Sequence, residues 1–124
     1  MKDKRPVNLD IGSMRLPITA WASITHRVSG VFLFLTSILM LWALDASLRS
    51  SESFTRLGDI VSGGIVTAVV WAVATGLLYH SLAGIRHVFM DFGVGESMAG
   101  GVVGARLVFG ATIILSLILG VWLW

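Results

Sequence analysis

Three long apolar segments restrict the possible folds of this chain more than any other feature of its sequence. They run from Val28 to Leu48, from Ile60 to Ile85 and from Val102 to Trp124. A helix needs about 20 apolar residues to cross the hydrocarbon core of a bilayer, and none of the segments alternates as a barrel strand would. Because backbone groups in lipid must be hydrogen-bonded within their own segment, the sequence predicts an all-α integral membrane protein with three transmembrane helices.

The composition agrees with a membrane protein and excludes several functional classes. The 124 residues are 56% hydrophobic and 13% charged, with a mean hydropathy of +0.88. The chain has no cysteine, which excludes disulfides, cysteine-ligated iron–sulfur clusters and a thiol nucleophile from this chain. The basic N-terminus is typical of a sequence that sets membrane orientation, and we expect no nucleic-acid binding.

The predicted helices cover about 18–48, 60–88 and 102–124. Pro17 suits a first helical turn, so the first helix is expected to begin near Ile18 at the membrane interface. It lacks a clear small-residue cleavage site and is read as an uncleaved anchor. The segments 49–59 and 91–101 are read as simple polar connections, the second of them rich in glycine. Trp71 lies in the middle of a span and is expected to pack against another helix.

The basic residues predict the orientation of the bundle. A cytoplasmic N-terminus puts two of the nine Lys and Arg residues outside, namely Arg49 and Arg56. The other seven are then cytoplasmic: Lys2, Lys4, Arg5, Arg15, Arg27, Arg86 and Arg106. The positive-inside rule therefore predicts a cytoplasmic N-terminus and an external C-terminus.

A stripe of polar and small residues marks the inner end of the second predicted helix. At about 100° per residue, His80, Gly84, His87 and Asp91 fall on one face of the helix. A histidine inside an apolar span is costly without a partner, and neutral imidazole is a good ligand for haem iron. Gly84 would leave room for a flat group, so His80 is the better candidate for an iron ligand and His87 for a haem propionate contact.

Each member of this stripe also has a simpler interpretation. His80 could only hydrogen-bond a neighbouring helix, and Gly84 could only allow close helix packing. His87 and Arg86 could be interfacial anchors, and Asp91 could cap the helix or pair with Arg86. Arg86 lies off the stripe and is expected to face lipid headgroups or a neighbouring subunit.

The first predicted helix carries a second polar group at the same membrane edge. Ser23, Arg27 and Gly30 fall on one face, with His26 beside them. A hydroxyl and a guanidinium one turn apart can hold a small carbonyl oxygen, such as that of a quinone head group. The simpler interpretation is a snorkelling Arg27 with Ser23 as an ordinary interfacial residue.

The second axial ligand of a haem is left open by the residues alone. His80 and His87 share one helix face and cannot bind opposite faces of one porphyrin. Either His26 or His87 is the second ligand, or a partner chain supplies it. Since three helices are few for enclosing a haem, a partner chain is the more economical interpretation.

Three motifs resemble one family when they are taken together and in order. The stretches RPVNLDI, SITHRVSGV and HSLAGIRHVFMDFG around three spans resemble the cytochrome b556 membrane anchor of bacterial succinate dehydrogenase. The resemblance implies half of a heterodimeric helical bundle, in which two anchors bind one haem b. It also implies flavoprotein and iron–sulfur subunits on the cytoplasmic face of the cell inner membrane, which pass electrons from succinate to ubiquinone.

The resemblance also implies roles for individual residues. His80 matches the axial haem ligand, with the second ligand coming from the other anchor. Ser23 and Arg27 match the quinone site. The haem propionate region would include His26, Arg27 and His87. Arg86 and Asp91 match the motif without an implied role.

Three rival functions stay open beside this one. A purely structural anchor would use the histidines only for packing. A small transporter subunit would be expected to carry an acidic residue in mid-span, whereas Asp45 and Asp59 lie at the outer ends of the predicted spans. A fumarate reductase anchor differs mainly in the direction of electron flow, which this sequence does not reveal.

Overall fold

The computed structural model of the chain describes Val7 and residues 9–124 and shows a helical bundle. A short 3-10 helix at Ile11–Ser13 precedes four α-helices: α1 (Ile18–Arg49), α2 (Ser51–Val61), α3 (Gly64–Asp91) and α4 (Met98–Leu123). Within the described part of the chain, α1, α3 and α4 are long and apolar enough to cross a membrane. This confirms the predicted fold class. The basic residues Lys2, Lys4 and Arg5, and part of the first motif, lie outside the described residues.

The first helix begins where the sequence predicted. Pro17 is its N-cap residue in an extended conformation, and the Pro17 carbonyl accepts hydrogen bonds from the backbone N–H groups of Ala20 and Trp21. The helix ends at Arg49, whose guanidinium pairs with the Asp45 carboxylate one turn earlier. Both charges at this exposed end therefore have a partner.

The predicted polar connection at 49–59 is wrong, because most of it forms the helix α2. The Ser50 and Ser53 side chains form a capping box that satisfies the first N–H groups of the helix. Phe54, Leu57 and Val61 recur at helical spacing and give α2 one apolar face. A short amphipathic helix of this kind lacks the continuous apolar run that identifies a membrane span.

The second span is shifted relative to the predicted range of 60–88. Ile60 belongs to α2, and α3 begins only at Gly64 and continues to Asp91. The Thr67 hydroxyl fixes the turn between the two helices, because it donates to the Val61 carbonyl at 2.8 Å and lies 3.1 Å from the Gly63 carbonyl. The third span also differs from its predicted range of 102–124, because Ser97 caps α4 and starts it at Met98.

Close contacts between α3 and α4 hold the bundle together over much of its length. The Trp71 indole N–H donates to the Ser116 carbonyl at 2.8 Å, and a Cβ on Gly120 would lie 3.3 Å from Trp71 Nε1. The Thr75 and Ser116 hydroxyls are 3.3 Å apart. Such interhelical bonds satisfy polar groups that lipid could not. The prediction that Trp71 packs against another helix is confirmed.

The prediction that Arg86 faces lipid headgroups or a neighbouring subunit is wrong. Its Nη2 donates to the Gly101 carbonyl of α4 at 3.1 Å. A Cβ on Gly104 would lie 3.0 Å from Arg86 Nε, so the arginine stem lies against bare helix backbone. Gly101 and Gly104, near the start of α4, therefore leave space for the Arg86 side chain and let α3 and α4 approach closely.

A small buried core joins three helices near the N-terminal end of α1. Tyr79 is buried, stacks on Phe109 of α4 with ring centroids 5.4 Å apart, and lies in a cluster with Ala83 and Val108. Its hydroxyl donates to the Ala22 carbonyl of α1 at 2.9 Å. Tyr79 thereby fixes α1 against α3 one turn from His26 and His80, the residues of the candidate site.

Candidate functional site

Three histidines meet between α1 and α3. The His26 ring of α1 stacks on the His80 ring of α3, with centroids 4.3 Å apart and planes inclined by 25°. It also lies 5.1 Å from the His87 ring at an angle of 39°. His80 and His87 are two helical turns apart on one face, so His26 fits between them. The structure thus brings together the two polar groups that the sequence placed at one membrane edge.

A serine of α1 connects directly to His80. The Ser29 hydroxyl donates to the His26 carbonyl at 2.7 Å and lies 3.0 Å from His80 Nδ1. Ser29 is buried. A Cβ on the neighbouring Gly30 would lie 3.1 Å from His80 Cε1. The Nδ1–Cε1 edge of the His80 ring therefore packs against the backbone of α1.

His26 brings an unpartnered nitrogen into this cluster. Its Nε2 is buried and has no hydrogen-bond partner among the residues that the structure describes. A Cβ on Gly84 would lie 3.8 Å from this nitrogen. The sequence predicted that Gly84 leaves room for a flat group, and the group beside it is the His26 imidazole.

The three histidines fit a haem better than a bare metal ion. No group of three or more His, Cys, Asp or Glu side chains in residues 9–124 could hold a metal ion by itself. A haem iron needs only one or two histidines, because the porphyrin supplies the remaining ligands. The unpartnered His26 Nε2 needs a hydrogen-bonding group such as a propionate, since an unmade buried bond costs about 1–3 kcal/mol. The residues present therefore fit haem.

Ser23 and Arg27 lie one turn apart on α1, at the level of the histidines. Arg27 is exposed and Ser23 is half-buried. Within the described chain, neither side chain has a hydrogen bond or an ion pair. A cation without a partner in a span is a candidate for ligand binding. Asp91 is exposed at the end of α3 and does not pair with Arg86 within the described chain, where the only salt bridge joins Asp45 and Arg49.

Two residues of this region were missed by sequence reasoning. Ser29 lies three positions after His26, and this spacing could have placed both on the face that meets α3. Tyr79 precedes His80, but its contact with Ala22 depends on how α1 and α3 pack. No local sequence signal predicts that contact.

The sequence of the chain is similar to a known family and to several proteins of that family. Residues 1–119 match the family described as succinate dehydrogenase/fumarate reductase transmembrane subunit. The succinate dehydrogenase cytochrome b556 subunit of Coxiella burnetii is 41% identical over 125 residues, which cover 100% of both proteins. The subunit of the same name from Paracoccus denitrificans is 35% identical over 98 residues, which cover 76% of this chain and 72% of that protein.

A more distant similarity points the same way. The succinate dehydrogenase cytochrome b560 subunit of Reclinomonas americana is 33% identical over 99 residues, which cover 75% of this chain and 68% of that protein. The matched family range includes the whole histidine cluster together with Ser23 and Arg27. The resemblance that the three motifs indicated is therefore confirmed.

Proposed function

Because the chain belongs to the succinate dehydrogenase/fumarate reductase transmembrane subunit family, we propose that it helps to bind haem b and to form a site for ubiquinone reduction. Its part in the complex would be that of a membrane anchor of succinate dehydrogenase. One observation carries the proposal: His80 lies within a membrane span, stacks on His26 and has its Nδ1 held by Ser29. This is a common setting for an axial histidine, whose other nitrogen is usually hydrogen-bonded.

In the proposed haem site, His80 would bind the iron from this chain and a second anchor subunit would supply the other protein ligand. His26, His87 and Arg27 would contact the propionates. The unpartnered Nε2 of His26 supports this assignment, because a propionate oxygen could accept a hydrogen bond from it. When bound, haem b supplies a one-electron reservoir close to the quinone.

The proposed quinone site uses Ser23 and Arg27. Arg27 would donate to a quinone carbonyl oxygen and stabilise the negative charge that develops there during reduction. Ser23 would hydrogen-bond the head group from one turn earlier on α1. Oxidation of succinate to fumarate releases two electrons and two protons, and reduction of a quinone to a quinol consumes two of each. The reaction is balanced without another reactant.

The proposal also names partners and a location. The chain contains no cysteine, so cysteine-ligated iron–sulfur clusters would belong to another subunit. We propose that a flavoprotein and an iron–sulfur subunit dock on the cytoplasmic face of the bacterial inner membrane, where the N-terminus also lies. The excess of Lys and Arg on that side supports this orientation.

The direction of electron flow is part of the same proposal. The family description covers both succinate dehydrogenase and fumarate reductase. The full-length relative from Coxiella burnetii is a succinate dehydrogenase subunit by name, which favours succinate oxidation here.

A spectrum of the native complex tests this function. The tagged chain is purified gently from membranes, and a reduced-minus-oxidised visible spectrum is recorded together with flavin and iron contents. A b-type haem signal in a preparation that contains both soluble subunits supports the proposal. A colourless preparation with those subunits present would indicate a purely structural anchor.

A further inference from the structure

Ser29 is a buried polar residue that contacts His80, and the proposed function does not say what this contact does to the histidine. The residue is only 8% exposed and lies just before the long apolar stretch of α1. The hydroxyl makes two contacts, one with the His26 carbonyl at 2.7 Å and one with His80 Nδ1 at 3.0 Å. Each of these contacts restricts the other, because a hydroxyl has only one hydrogen to donate.

The carbonyl contact decides the direction of both hydrogen bonds. A carbonyl oxygen can only accept, so the Ser29 hydroxyl must donate to His26. Its single hydrogen is then used, and the hydroxyl oxygen can only accept from His80. His80 Nδ1 must therefore carry a hydrogen. In a neutral imidazole the other nitrogen, Nε2, then has the free lone pair.

Ser29 determines the tautomer of His80, and the backbone beside Ser29 restricts the orientation of the His80 ring. A Cβ on Gly30 would lie 3.1 Å from His80 Cε1 and 3.7 Å from Nδ1. The imidazole thus packs against bare helix on the same edge that donates to Ser29. The Nδ1–Cε1 edge is held by α1, whereas Nε2, the next atom of the ring, lies more than 4 Å from a Cβ on Gly30.

We propose that Ser29 is a positioning residue that prepares His80 as an Nε2 ligand for haem iron. This inference rests on the proposed haem-binding function. Accepting the Nδ1 hydrogen increases the electron density of the ring, which strengthens Nε2 as a ligand and favours ferric iron. Hydrogen-bonding partners of this kind orient a ligating histidine and raise its basicity, and their loss typically costs about 10–100-fold in metal affinity.

The test compares Ser29→Ala, Ser29→Cys and Ser29→Thr in the intact purified complex. Ser29→Ala removes the acceptor, and a thiol is only a weak acceptor. We expect haem affinity per assembled complex to fall about 10–100-fold in Ser29→Ala and less in Ser29→Cys. The midpoint potential of the remaining haem should rise in the same order. Ser29→Thr keeps a hydroxyl and should restore both values.

Ser37 provides a matched control on the same helix. Its hydroxyl also donates to a carbonyl three residues back, that of Phe34 at 2.6 Å, but within the described chain it has no histidine partner. Ser37→Ala should leave haem affinity and midpoint potential unchanged. Flavin content and succinate oxidation with a soluble artificial acceptor report assembly independently of the haem.

The possible outcomes separate this inference from the function on which it rests. Wild-type haem affinity and potential in Ser29→Ala would overturn the role of Ser29 alone. If Ser29→Ala does not assemble, wild-type values in Ser29→Cys would overturn it equally. A wild-type complex without haem would overturn the proposed function and this inference together.

Discussion

His80 is the side chain on which the proposed haem site most depends. It lies in the span α3, stacks on His26 and contacts Ser29. Replacing it by alanine would remove the proposed iron ligand, so we expect His80→Ala to lose the b-type signal or to change it to that of a weakly held haem. The measurement is the reduced-minus-oxidised spectrum per flavin.

His87 provides the control for this substitution. It belongs to the same cluster but lies two turns away on α3 and is proposed to contact only a propionate. His87→Ala should therefore keep iron ligation. An unchanged spectrum with full haem occupancy in His80→Ala would rule out His80 as the ligand.

Arg27 and Ser23 test the quinone site, and only Ser23 tests it apart from the haem site, because Arg27 is also proposed to contact a propionate. A hydrogen bond to a charged group is worth about 1.5–3 kcal/mol, which corresponds to about 10- to 100-fold in rate. We expect Arg27→Leu to lower quinone reduction by about this factor, while succinate oxidation with a soluble artificial acceptor stays intact. Ser23→Ala should lower quinone reduction in the same way but by less.

Arg15→Leu is the matched control for Arg27→Leu, because it also removes one positive charge. Arg15 is exposed and lies just before α1, outside the proposed site. Arg15→Leu should leave quinone kinetics near the wild-type value. If Arg27→Leu lowered both activities together, Arg27 would act in assembly and would not bind quinone.

The helices show which parts of the fold are encoded locally. The first helix begins at Ile18 as predicted, because Pro17 and a continuous apolar run act in the same sequence window. The predicted start of the second span at Ile60 is wrong, because Ile60 completes the apolar face of α2. Hydropathy alone cannot separate an amphipathic helix from the span that follows it. The Ser50 capping box was the available local signal.

Gly100 and Gly101 were predicted to lie in a connection but belong to α4, where Gly101 and Gly104 lie against Arg86 or leave room for it. Gly104 supports the Arg86 stem, and its added Cβ would lie 3.0 Å from Nε. We expect Gly104→Ala to displace Arg86 and to destabilise the packing of α3 on α4 by about 1–3 kcal/mol, the usual cost of overpacking. Thermal unfolding of the purified complex should show a lower Tm.

Gly110 is the matched control on α4. A Cβ there meets nothing within 4 Å, and alanine has the higher helix propensity. Gly110→Ala should leave the Tm unchanged or raise it slightly. Equal Tm values for Gly104→Ala and the wild type would show that the packing of Arg86 against Gly104 does not contribute to stability.

At the scale of the whole molecule, the chain buries little of its own surface. Among the residues that the structure describes, the buried hydrophobic ones are few: Ala22, Tyr79, Ala83, Ala105 and Val108. Large apolar side chains along α1, such as Phe34, Leu39 and Trp42, are mostly exposed. Lipid can cover exposed apolar side chains in general. Such exposed faces would also be expected in half of a heterodimeric bundle, which the family resemblance implied. The sequence could predict the spans and the histidines, whereas the contacts of Ser29, Tyr79 and Arg86 depend on tertiary packing.

The histidine cluster argues that the second axial ligand comes from another chain. His26 lies between His80 and His87, and it stacks on the His80 ring with centroids 4.3 Å apart. A residue stacked on an axial imidazole is poorly placed to bind the opposite face of the porphyrin. We therefore expect the chain expressed without its partner anchor to reach the membrane but to show no low-spin haem signal.

Co-expression with the second anchor should restore that signal. The comparison needs equal amounts of the chain in both membrane preparations, measured by immunoblot, before the spectra are recorded. A low-spin b-type spectrum from the chain alone would contradict the expectation and make His26 or His87 the second ligand. His26→Ala and His87→Ala in the chain alone would then identify which of them binds, because only the true ligand's loss would abolish the low-spin signal.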